Sequence, residues 1–306
     1  MVINTTTLRG RLKSNEPLSR HTSWRVGGPV ARFYQPADID DLAVFLAQLD
    51  KDEPVYWLGL GSNLLVRDGG YPGTMICTSG VLNELHFGGN GSVVVEAGVA
   101  CPKVARQCAK QGLGGAEFLS GIPGTMGGAL AMNAGAFGGE TWDIVERVST
   151  IDHTGQRHER LPEEFDISYR HVTGVPGEWF VTATLKLTQG NAQQSQEKIR
   201  QLLAKRGASQ PTQQPTAGSV FRNPEGDYAA RLIESCGLKG TCVGGACVSE
   251  RHANFIVNTG TATAADIETL IEKVAETVKK ECGVSLIREV CIVGEHSMQA
   301  DGAQYE

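Results

Sequence analysis

Hydrophobic residues recur at helical spacing in several parts of the chain. In residues 38–49 they place an apolar stripe on one face, and this period predicts an amphipathic helix. Residues 103–111 are predicted to form a second helix, because Pro102 favours its start and Gly112 its end. Three more helices are predicted: a polar one around Ile199, Leu202 and Leu203, one from Asp227 to Gly237, and one that opens with the capping-box pair Thr263 and Asp266 and closes with Lys279, Lys280 and Gly283.

Short apolar runs with strand character separate these helices. The stretch 55–66 contains two such runs, interrupted by Gly61-Ser62-Asn63. Further strands are predicted at 93–96, 181–187, 254–258 and 286–294. The character of the chain changes near residue 190, and the polar, proline-broken stretch 207–216 resembles a linker or an active-site loop. The tail from His296 to Glu306 is predicted to be poorly ordered.

Glycine is concentrated in the middle of the chain. The window 112–139 holds 10 glycines in 28 residues, against 38 in all 306, and residues 120–138 carry no charged side chain. Glycine lets a ligand approach the backbone and permits φ above zero, so consecutive N–H groups can converge on one anion. A tight stretch of buried turns is the alternative. A membrane helix is disfavoured, because Pro123, Asn133 and many glycines interrupt the uncharged run.

Composition and charge narrow the range of functions. Charged residues are 20% and hydrophobic residues 41% of the chain, which is typical of a globular protein of one or two domains. The net charge of −6 gives no reason to expect a nucleic-acid or membrane partner, and no apolar signal segment opens the chain. The eight cysteines, of which Cys236 and Cys282 are assigned to apolar faces, form no C-x-x-C pair and no metal-spaced cluster. We therefore expect no metal, and buried free thiols in a reducing cytoplasm.

A second glycine-rich loop follows the first apolar run of the 55–66 stretch. Gly59-Leu60-Gly61-Ser62-Asn63 offers backbone amides and two short polar side chains that suit a pyrophosphate. The loop is not a dinucleotide fingerprint, because Leu64 occupies the place of the third glycine, and no Gly-Lys-Ser/Thr occurs in the chain. Taken alone, this loop fits a hairpin turn better than a pyrophosphate site. Together with residues 120–138 it fits a long dinucleotide held between two small α+β units.

These two segments carry a family resemblance. GLGSNLLVRDGG (59–70) and SGIPGTMGGALAMNAGAFG (120–138) resemble the FAD-binding module of the vanillyl-alcohol-oxidase/PCMH type, in the variant found in UDP-N-acetylmuramate dehydrogenases. Ser62 and Asn63 stand where many relatives attach flavin through a histidine, which implies non-covalent FAD. The implied cofactor contacts are Leu60, Gly61, Ser62, Asn63, Gly121, Ile122, Pro123, Gly127, Gly128, Asn133, Ala134 and Gly135.

The resemblance also implies the fold class and the domain organisation. The class is α+β, with a two-part FAD module in residues 1–190 whose internal boundary lies near residue 75. An α+β substrate-binding domain follows in residues 191–306. The match extends over about residues 18–294. Only 48 residues separate Arg170 from Ser219, so the chain resembles the shorter branch of the family, which lacks an extra substrate-clamping loop.

Three further signatures match segments that carry catalytic residues in this family. Ser168-Tyr169-Arg170 implies a catalytic Arg170, AGSVFRNP (217–224) a catalytic Ser219, and LIREV (286–290) a catalytic Glu289. Taken singly, Arg170 fits a surface ion pair, Ser219 a turn and Glu289 an ordinary strand position. Their occurrence in the family's order, each within its own signature, supports a catalytic role. The predicted substrate contacts are Tyr169, Arg206 and Asn223. Two positions depart from the pattern: Arg222 replaces a lysine, and Val172 stands where serine is common.

The resemblance implies a reaction. It is the NADPH-dependent reduction of UDP-N-acetylglucosamine enolpyruvate to UDP-N-acetylmuramate, a cytoplasmic step of peptidoglycan synthesis. The cofactor is then FAD, NADPH is a co-substrate, and the partners are small molecules. One alternative is a flavin oxidase or a 2-hydroxy-acid dehydrogenase on the same FAD module. The other is a flavin- or nucleotide-binding protein without catalysis.

Overall fold

Segments that are far apart in the sequence gather into two units in the computed structural model, which describes residues 3–297. Unit 1 consists of the described residues in Met1–Lys13, Phe33–Ser62 and Thr74–Thr212. Unit 2 consists of those in Ser14–Arg32, Asn63–Gly73 and Gln213–Glu306. The assignment of cofactor binding to residues 1–190 and of substrate binding to residues 191–306 stays a prediction.

The described part of the chain contains six α-helices and twenty strands. The helices are α1 (Ile39–Leu46), α2 (Cys101–Lys110), α3 (Met126–Ala131), α4 (Ala192–Ser209), α5 (Ala229–Ser235) and α6 (Ala264–Cys282). The first ten strands are β1 (Arg11–Pro17), β2 (Pro29–Gln35), β3 (Val55–Leu58), β4 (Leu64–Val66), β5 (Tyr71–Cys77), β6 (Leu85–Phe87), β7 (Ser92–Glu96), β8 (Leu113–Gly114), β9 (Gly135–Ala136) and β10 (Gly139–Glu140). The others are β11 (Val145–Asp152), β12 (Arg157–Arg160), β13 (Asp166–Ser168), β14 (His171–Thr173), β15 (Glu178–Lys186), β16 (Thr188–Gln189), β17 (Cys242–Val243), β18 (Ala246–Val248), β19 (Ile256–Asn258) and β20 (Cys291–Val293).

A five-stranded antiparallel sheet of order β12-β11-β15-β7-β6 lies at the centre of unit 1. Alternate residues of β7, Val93 and Val95, are fully buried, as the two-residue period of a half-buried strand requires. They belong to a core cluster that includes Val104 of α2 and Leu130 of α3. Burial of this apolar surface is the main stabilising contribution. The core thereby supports the glycine-rich segment, which contains α3.

A smaller cluster in unit 1 lies around α1. Asp38 accepts a hydrogen bond from Asp41 N and caps the helix, and Leu42 and Phe45 are buried on one face. Phe45 stacks on Tyr34 with ring centroids 3.8 Å apart. In unit 1, β3 pairs with β5 in parallel, and the four-stranded sheet to which both belong has the order β1-β2-β5-β3. The glycine loop that follows β3 is therefore not the turn of a hairpin.

In unit 2, α6 packs on the three-stranded antiparallel sheet β17-β18-β19. Two residues distant in sequence, Trp24 and Leu65, complete its core, and the indole of Trp24 donates to the carbonyl of Ile256 at 2.8 Å. Strand β4 pairs in parallel with β20, with Leu64 opposite Cys291. Asp68 accepts hydrogen bonds from the first two amides of α6, at 3.0 and 2.9 Å, and so caps the helix from another part of the chain.

The predicted helices are confirmed, with boundaries that shift by a few residues. The capping box of α6 forms as expected, with Thr263 and Asp266 bonding each other's backbone amides, and Gly283 adopts the left-handed conformation at its C-cap. The predicted strand 286–294 is shorter than expected: only Cys291–Val293 is a strand, and Arg288 forms an isolated bridge with Phe221. In the tail, residues 298–306 lie outside the described part of the chain. No helix within residues 3–297 has the length and hydrophobicity needed to cross a membrane.

The expectation that the cysteines are buried free thiols is wrong for five of the eight. Cys242 and Cys247 form a disulfide, because the antiparallel pairing of β17 with β18 places them opposite each other with Cα atoms 4.1 Å apart. Cys282 and Cys291 are exposed rather than buried, and Cys236 is only half-buried. Sequence spacing alone does not reveal which residues face each other across a hairpin, and this is why the bridge was not anticipated.

Candidate active site

The two glycine-rich segments meet within unit 1. A Cβ on Gly59, at the end of β3, would lie 2.4 Å from the hydroxyl oxygen of Thr125. A Cβ on Gly124 would lie 3.5 Å from the hydroxyl oxygen of Ser62. The segment is anchored behind this contact, because Met126 N and Gly127 N donate to the carbonyls of Val99 and Ala97. Glycine at position 59 is therefore required for the close approach of the two segments.

The residues around this contact have features that fit a bound phosphate or flavin. Thr125 Oγ1 is buried and has no hydrogen-bond partner among the described residues. Buried hydroxyls usually have a hydrogen-bond partner, so this atom fits contact with a bound group. A Cβ on Gly128 would meet only Thr125 Oγ1, at 3.8 Å, so the protein itself does not require glycine there. Ser62, Thr125 and Gly128 thus fit the cofactor that the sequence implies.

Gly121 and Gly127 serve the packing of the protein. A Cβ on Gly121 would lie 2.4 Å from the ring of Phe137, and one on Gly127 would lie 3.0 Å from Ala97 Cβ. Both distances are too short for a larger residue. Of the other predicted cofactor contacts, Ile122 is buried, Leu60 is exposed, and Gly61 adopts a left-handed φ of 61°. The roles of Pro123 and Ala134, like the whole set, stay predictions.

Arg170 occupies the two-residue turn of the β13–β14 hairpin. Ser168 pairs with His171, so Tyr169 and Arg170 form the turn, and Arg170 has a φ of 56°. Its guanidinium donates to the carbonyls of Gly135 at 2.9 Å and Asn133 at 3.4 Å. An arginine at positive φ is uncommon, and such conformations concentrate at functional sites. The hairpin therefore brings the predicted catalytic arginine to the end of the glycine-rich segment.

Asn133 holds this arrangement together. Its side-chain amide donates to the Glu140 carboxylate at 2.7 Å and to the Ser168 carbonyl at 3.2 Å, and its Oδ1 accepts from Trp142 N. The residue is buried and has a φ of 42°. Both amide protons are used within the protein. Asn133 therefore connects the predicted cofactor segment to the hairpin that carries Arg170.

In unit 2, Ser219 and Glu289 lie on neighbouring backbone segments. Ser219 forms an antiparallel bridge with Phe255 on one side. On the other side, Glu289 N donates to the carbonyl of Val220 at 2.8 Å. Asn254 fixes the central segment by exchanging two side-chain bonds with the backbone of Phe221. Ser219 and Glu289 are both half-buried, so the fold brings these two predicted catalytic residues together.

Asn63 secures the backbone at Glu289. Its side-chain amide donates to the Glu289 carbonyl at 3.1 Å, and its own carbonyl accepts from Cys291 N at 3.0 Å. A residue predicted to contact the cofactor thus also fixes the backbone segment that carries a predicted catalytic carboxylate.

The three predicted substrate contacts have different environments. Arg206, in α4, bonds Gln210 and has no carboxylate partner among the described residues; burial lowers its pKa. Asn223 uses its side-chain oxygen to accept from Ala229 N at the start of α5. Tyr169 is exposed, with its ring 5.4 Å from the Arg170 guanidinium carbon. An arginine without a carboxylate partner is suited to an anionic ligand. Of the three residues, Arg206 fits the role of a substrate contact best.

Two half-buried residues that were given no role also have unsatisfied buried nitrogens. His252 Nδ1 and Arg222 Nε lack partners among the described residues. Burial lowers the pKa of His252, and nearby Lys239 adds to this effect. Arg222 lies in the segment 217–224, which the sequence already marks. Within residues 3–297 no group of three or more metal-ligating side chains occurs.

Comparison with known proteins identifies the family. A sequence model of an FAD binding domain matches residues 30–159, and one described as UDP-N-acetylenolpyruvoylglucosamine reductase, C-terminal domain, matches residues 210–293. The reductase of that name from Methylococcus capsulatus is 61% identical over 287 residues, 94% of each chain. The one from Nitrosococcus oceani is 59% identical over 293 residues, 96% of this chain and 98% of its own.

A solved structure agrees with the sequence matches. The UDP-N-acetylenolpyruvylglucosamine reductase of Thermus caldophilus superposes with a TM-score of 0.80 at 34% identity, over 93% of this chain and 99% of its own. The α+β fold with an FAD-binding module is thereby confirmed. The chain belongs to the UDP-N-acetylenolpyruvoylglucosamine reductase family.

Proposed function

We propose that this chain is a flavoenzyme that uses NADPH to reduce UDP-N-acetylglucosamine enolpyruvate to UDP-N-acetylmuramate. The identity and coverage of its relatives support the reaction, and the matched FAD binding domain supports the cofactor. The observation that supports it most directly is the pairing of the Ser219 and Glu289 segments inside the matched C-terminal domain. The reaction is a step of peptidoglycan synthesis, and we propose that it takes place in the cytoplasm.

FAD, when bound, supplies the two-electron chemistry by which hydride passes from NADPH to C3 of the enol ether. We assign its binding to the two glycine-rich segments, with Ser62, Thr125 and Gly128 against it. Gly59 allows the segments to approach each other closely. Glycine, serine and threonine residues offer backbone amides and short hydroxyls, which suit the pyrophosphate of FAD.

Arg170, Ser219 and Glu289 act on the charge that develops as the substrate is reduced. Negative charge appears at C2 and spreads into the substrate carboxylate. The planar fork of Arg170 suits that carboxylate, and its hold on two backbone carbonyls fixes the fork beforehand. Ser219 donates a proton to C2. A serine hydroxyl is a weak acid, so this step requires a strongly basic carbanion in a site without water. Glu289 polarises the enolic carboxyl by sharing a proton with it.

The experiment is a pair of absorbance measurements on the purified protein. The flavin absorbance should bleach when NADPH is added without oxygen, and it should return when the enolpyruvyl substrate follows. Bleaching without recovery would favour another oxidoreductase on the same FAD module. A protein that takes up no FAD would overturn the proposal.

A further inference from the structure

A pair of free cysteines lies at the ends of two helices in unit 2, and neither residue is assigned to the reaction. Cys236 is the C-cap of α5, and Cys282 is the last residue of α6. Their sulfur atoms are 3.5 Å apart, and the Ser235 hydroxyl lies 3.9 Å from the Cys282 sulfur. The two helices pack against each other. Little movement is therefore needed to bring the sulfurs to bonding distance.

The two thiols differ in their access to solvent. Cys282 is exposed, whereas Cys236 is half-buried beside the core of unit 2. Burial raises the pKa of Cys236, and the neighbouring Cys282 adds to this effect. A dissolved oxidant therefore meets Cys282 first, and Cys236 is placed to attack the oxidised sulfur.

We infer that Cys236 and Cys282 form a reversible disulfide, a modification site that joins the C-terminal ends of α5 and α6. The oxidant is hydrogen peroxide. The Cys282 sulfur attacks the peroxide O–O bond, takes one oxygen as a sulfenic acid, and releases water. Cys236 then attacks that sulfur, so that the S–S bond forms, the S–O bond breaks, and a second water leaves. Two thiols lose two electrons, and one hydrogen peroxide gains them.

This bridge would constrain the chain more than the existing disulfide does. Cys242 and Cys247 are five positions apart on one hairpin, whereas Cys236 and Cys282 are 46 apart and enclose that hairpin. In the chain-entropy account, a cross-link that closes a longer loop removes more freedom from the unfolded state. We therefore expect oxidation to raise the melting temperature by roughly 5–10 °C.

The test uses the full-length protein with FAD bound, purified without reductant. Six free thiols should be counted before oxidation. Compared with an untreated sample, brief exposure to hydrogen peroxide should remove two of these thiols and lower the mass by about 2 Da. On a non-reducing gel the protein should still migrate as a monomer. Peptide mapping should join residues 236 and 282, and dithiothreitol should restore both thiols.

Single-cysteine variants distinguish oxidation of this pair from oxidation of other thiols. Cys282→Ser and Cys236→Ser should each abolish the new cross-link and the rise in melting temperature, while keeping the flavin bleaching of the unmodified protein. Cys291→Ser removes the other exposed thiol and serves as the control, which should still form the bridge. Accumulation of Cys282 sulfinic acid, a bridge between two chains, or two thiols that stay free would each overturn the inference.

Discussion

At the scale of single residues, the central assignment is the proton donor Ser219. In the proposed mechanism its hydroxyl acts only after hydride has left the flavin, so Ser219→Ala should leave NADPH-driven flavin bleaching near the wild-type rate. Reduction of the enolpyruvyl substrate should fall by roughly 10²–10⁴-fold, the usual loss for a positioned acid. Cysteine at this position carries a more acidic proton and should recover part of the loss. Stopped-flow measurement of the two half-reactions decides: an equal loss in both would remove Ser219 from the role of C2 acid.

Asn133 offers a second residue-scale prediction, because its side chain supports the hairpin of Arg170. Asn133→Ala removes the side-chain amide that donates to the Glu140 carboxylate and to the Ser168 carbonyl. The free energy of unfolding should fall by about 2 kcal/mol, measured by denaturant titration. The substrate half-reaction should slow more than flavin bleaching, since Arg170 is proposed to act only in that step.

The control for this change is Asn90→Ala. Asn90 is exposed and has a φ of 56°, similar to the 42° of Asn133. It therefore reports the cost of placing alanine in a left-handed conformation without the loss of a buried network. If both variants lose the same stability and keep both half-reactions, Asn133 has no positioning role.

At the scale of elements, the glycine-rich segment can be tested for cofactor contact separately from packing. Gly128→Val places a branched side chain where only Thr125 Oγ1 lies within 4 Å, so the fold should survive. The purified variant should contain little FAD while its apo form melts near the wild-type apo protein. Gly89→Val is the matched control, because a Cβ there meets no atom within 4 Å and the residue lies on an exposed turn. Full FAD content in Gly128→Val would assign the segment to packing alone.

Helix α6 carries an ion pair that makes stability depend on pH. Arg67 contacts Glu268 with Nε and Nη2, at distances of 2.8–3.2 Å, and donates from Nη1 to the Gly294 carbonyl. The hydrogen bond from Arg67 lowers the pKa of Glu268, although burial opposes this shift. A lowered pKa stabilises the folded state above the carboxyl's unfolded pKa of about 4.3, and this contribution is lost as pH falls through the folded value.

Glu268→Gln should therefore destabilise the protein by about 2 kcal/mol at pH 7. Its stability should fall less steeply than that of the wild type between pH 5 and pH 3. Glu276→Gln, on an exposed position of the same helix, should behave like the wild type. Thermal melts across this pH range provide the measurement, and parallel curves for wild type and Glu268→Gln would contradict the assignment.

Elements whose signals are local could be predicted from the sequence, and those that depend on pairing could not. The capping box at Thr263 and the glycine at 283 define α6 without reference to the rest of the chain. The sequence does not reveal strand β11, because its pairing with β15 shifts register twice and its burial does not alternate regularly. The same distinction applies to the site. Motifs pointed to Arg170, Ser219 and Glu289, but the hydrogen bonds of Asn133 and Asn63 emerge only when distant segments meet.

At the scale of the whole molecule, the sequence implies that FAD is held without a covalent bond. Ser62 and Asn63 offer no imidazole for attachment. Acid or heat denaturation followed by centrifugation should leave free FAD in the supernatant and a colourless pellet. Flavin fluorescence that migrates with the polypeptide on a denaturing gel would contradict non-covalent binding. The expectation is independent of the turnover assays, because it needs neither NADPH nor substrate.

The bond between Trp24 and Ile256 has a consequence for biosynthesis. The two residues lie 232 positions apart, yet Trp24 is fully buried in the core of unit 2. At a translation rate of about 5–20 residues per second, Trp24 is synthesised roughly 10–50 s before Ile256. During that interval its indole lacks its native environment. Nascent chains that stop before residue 254 should therefore present Trp24 to chaperones or to a fluorescence quencher, whereas completed chains should shield it.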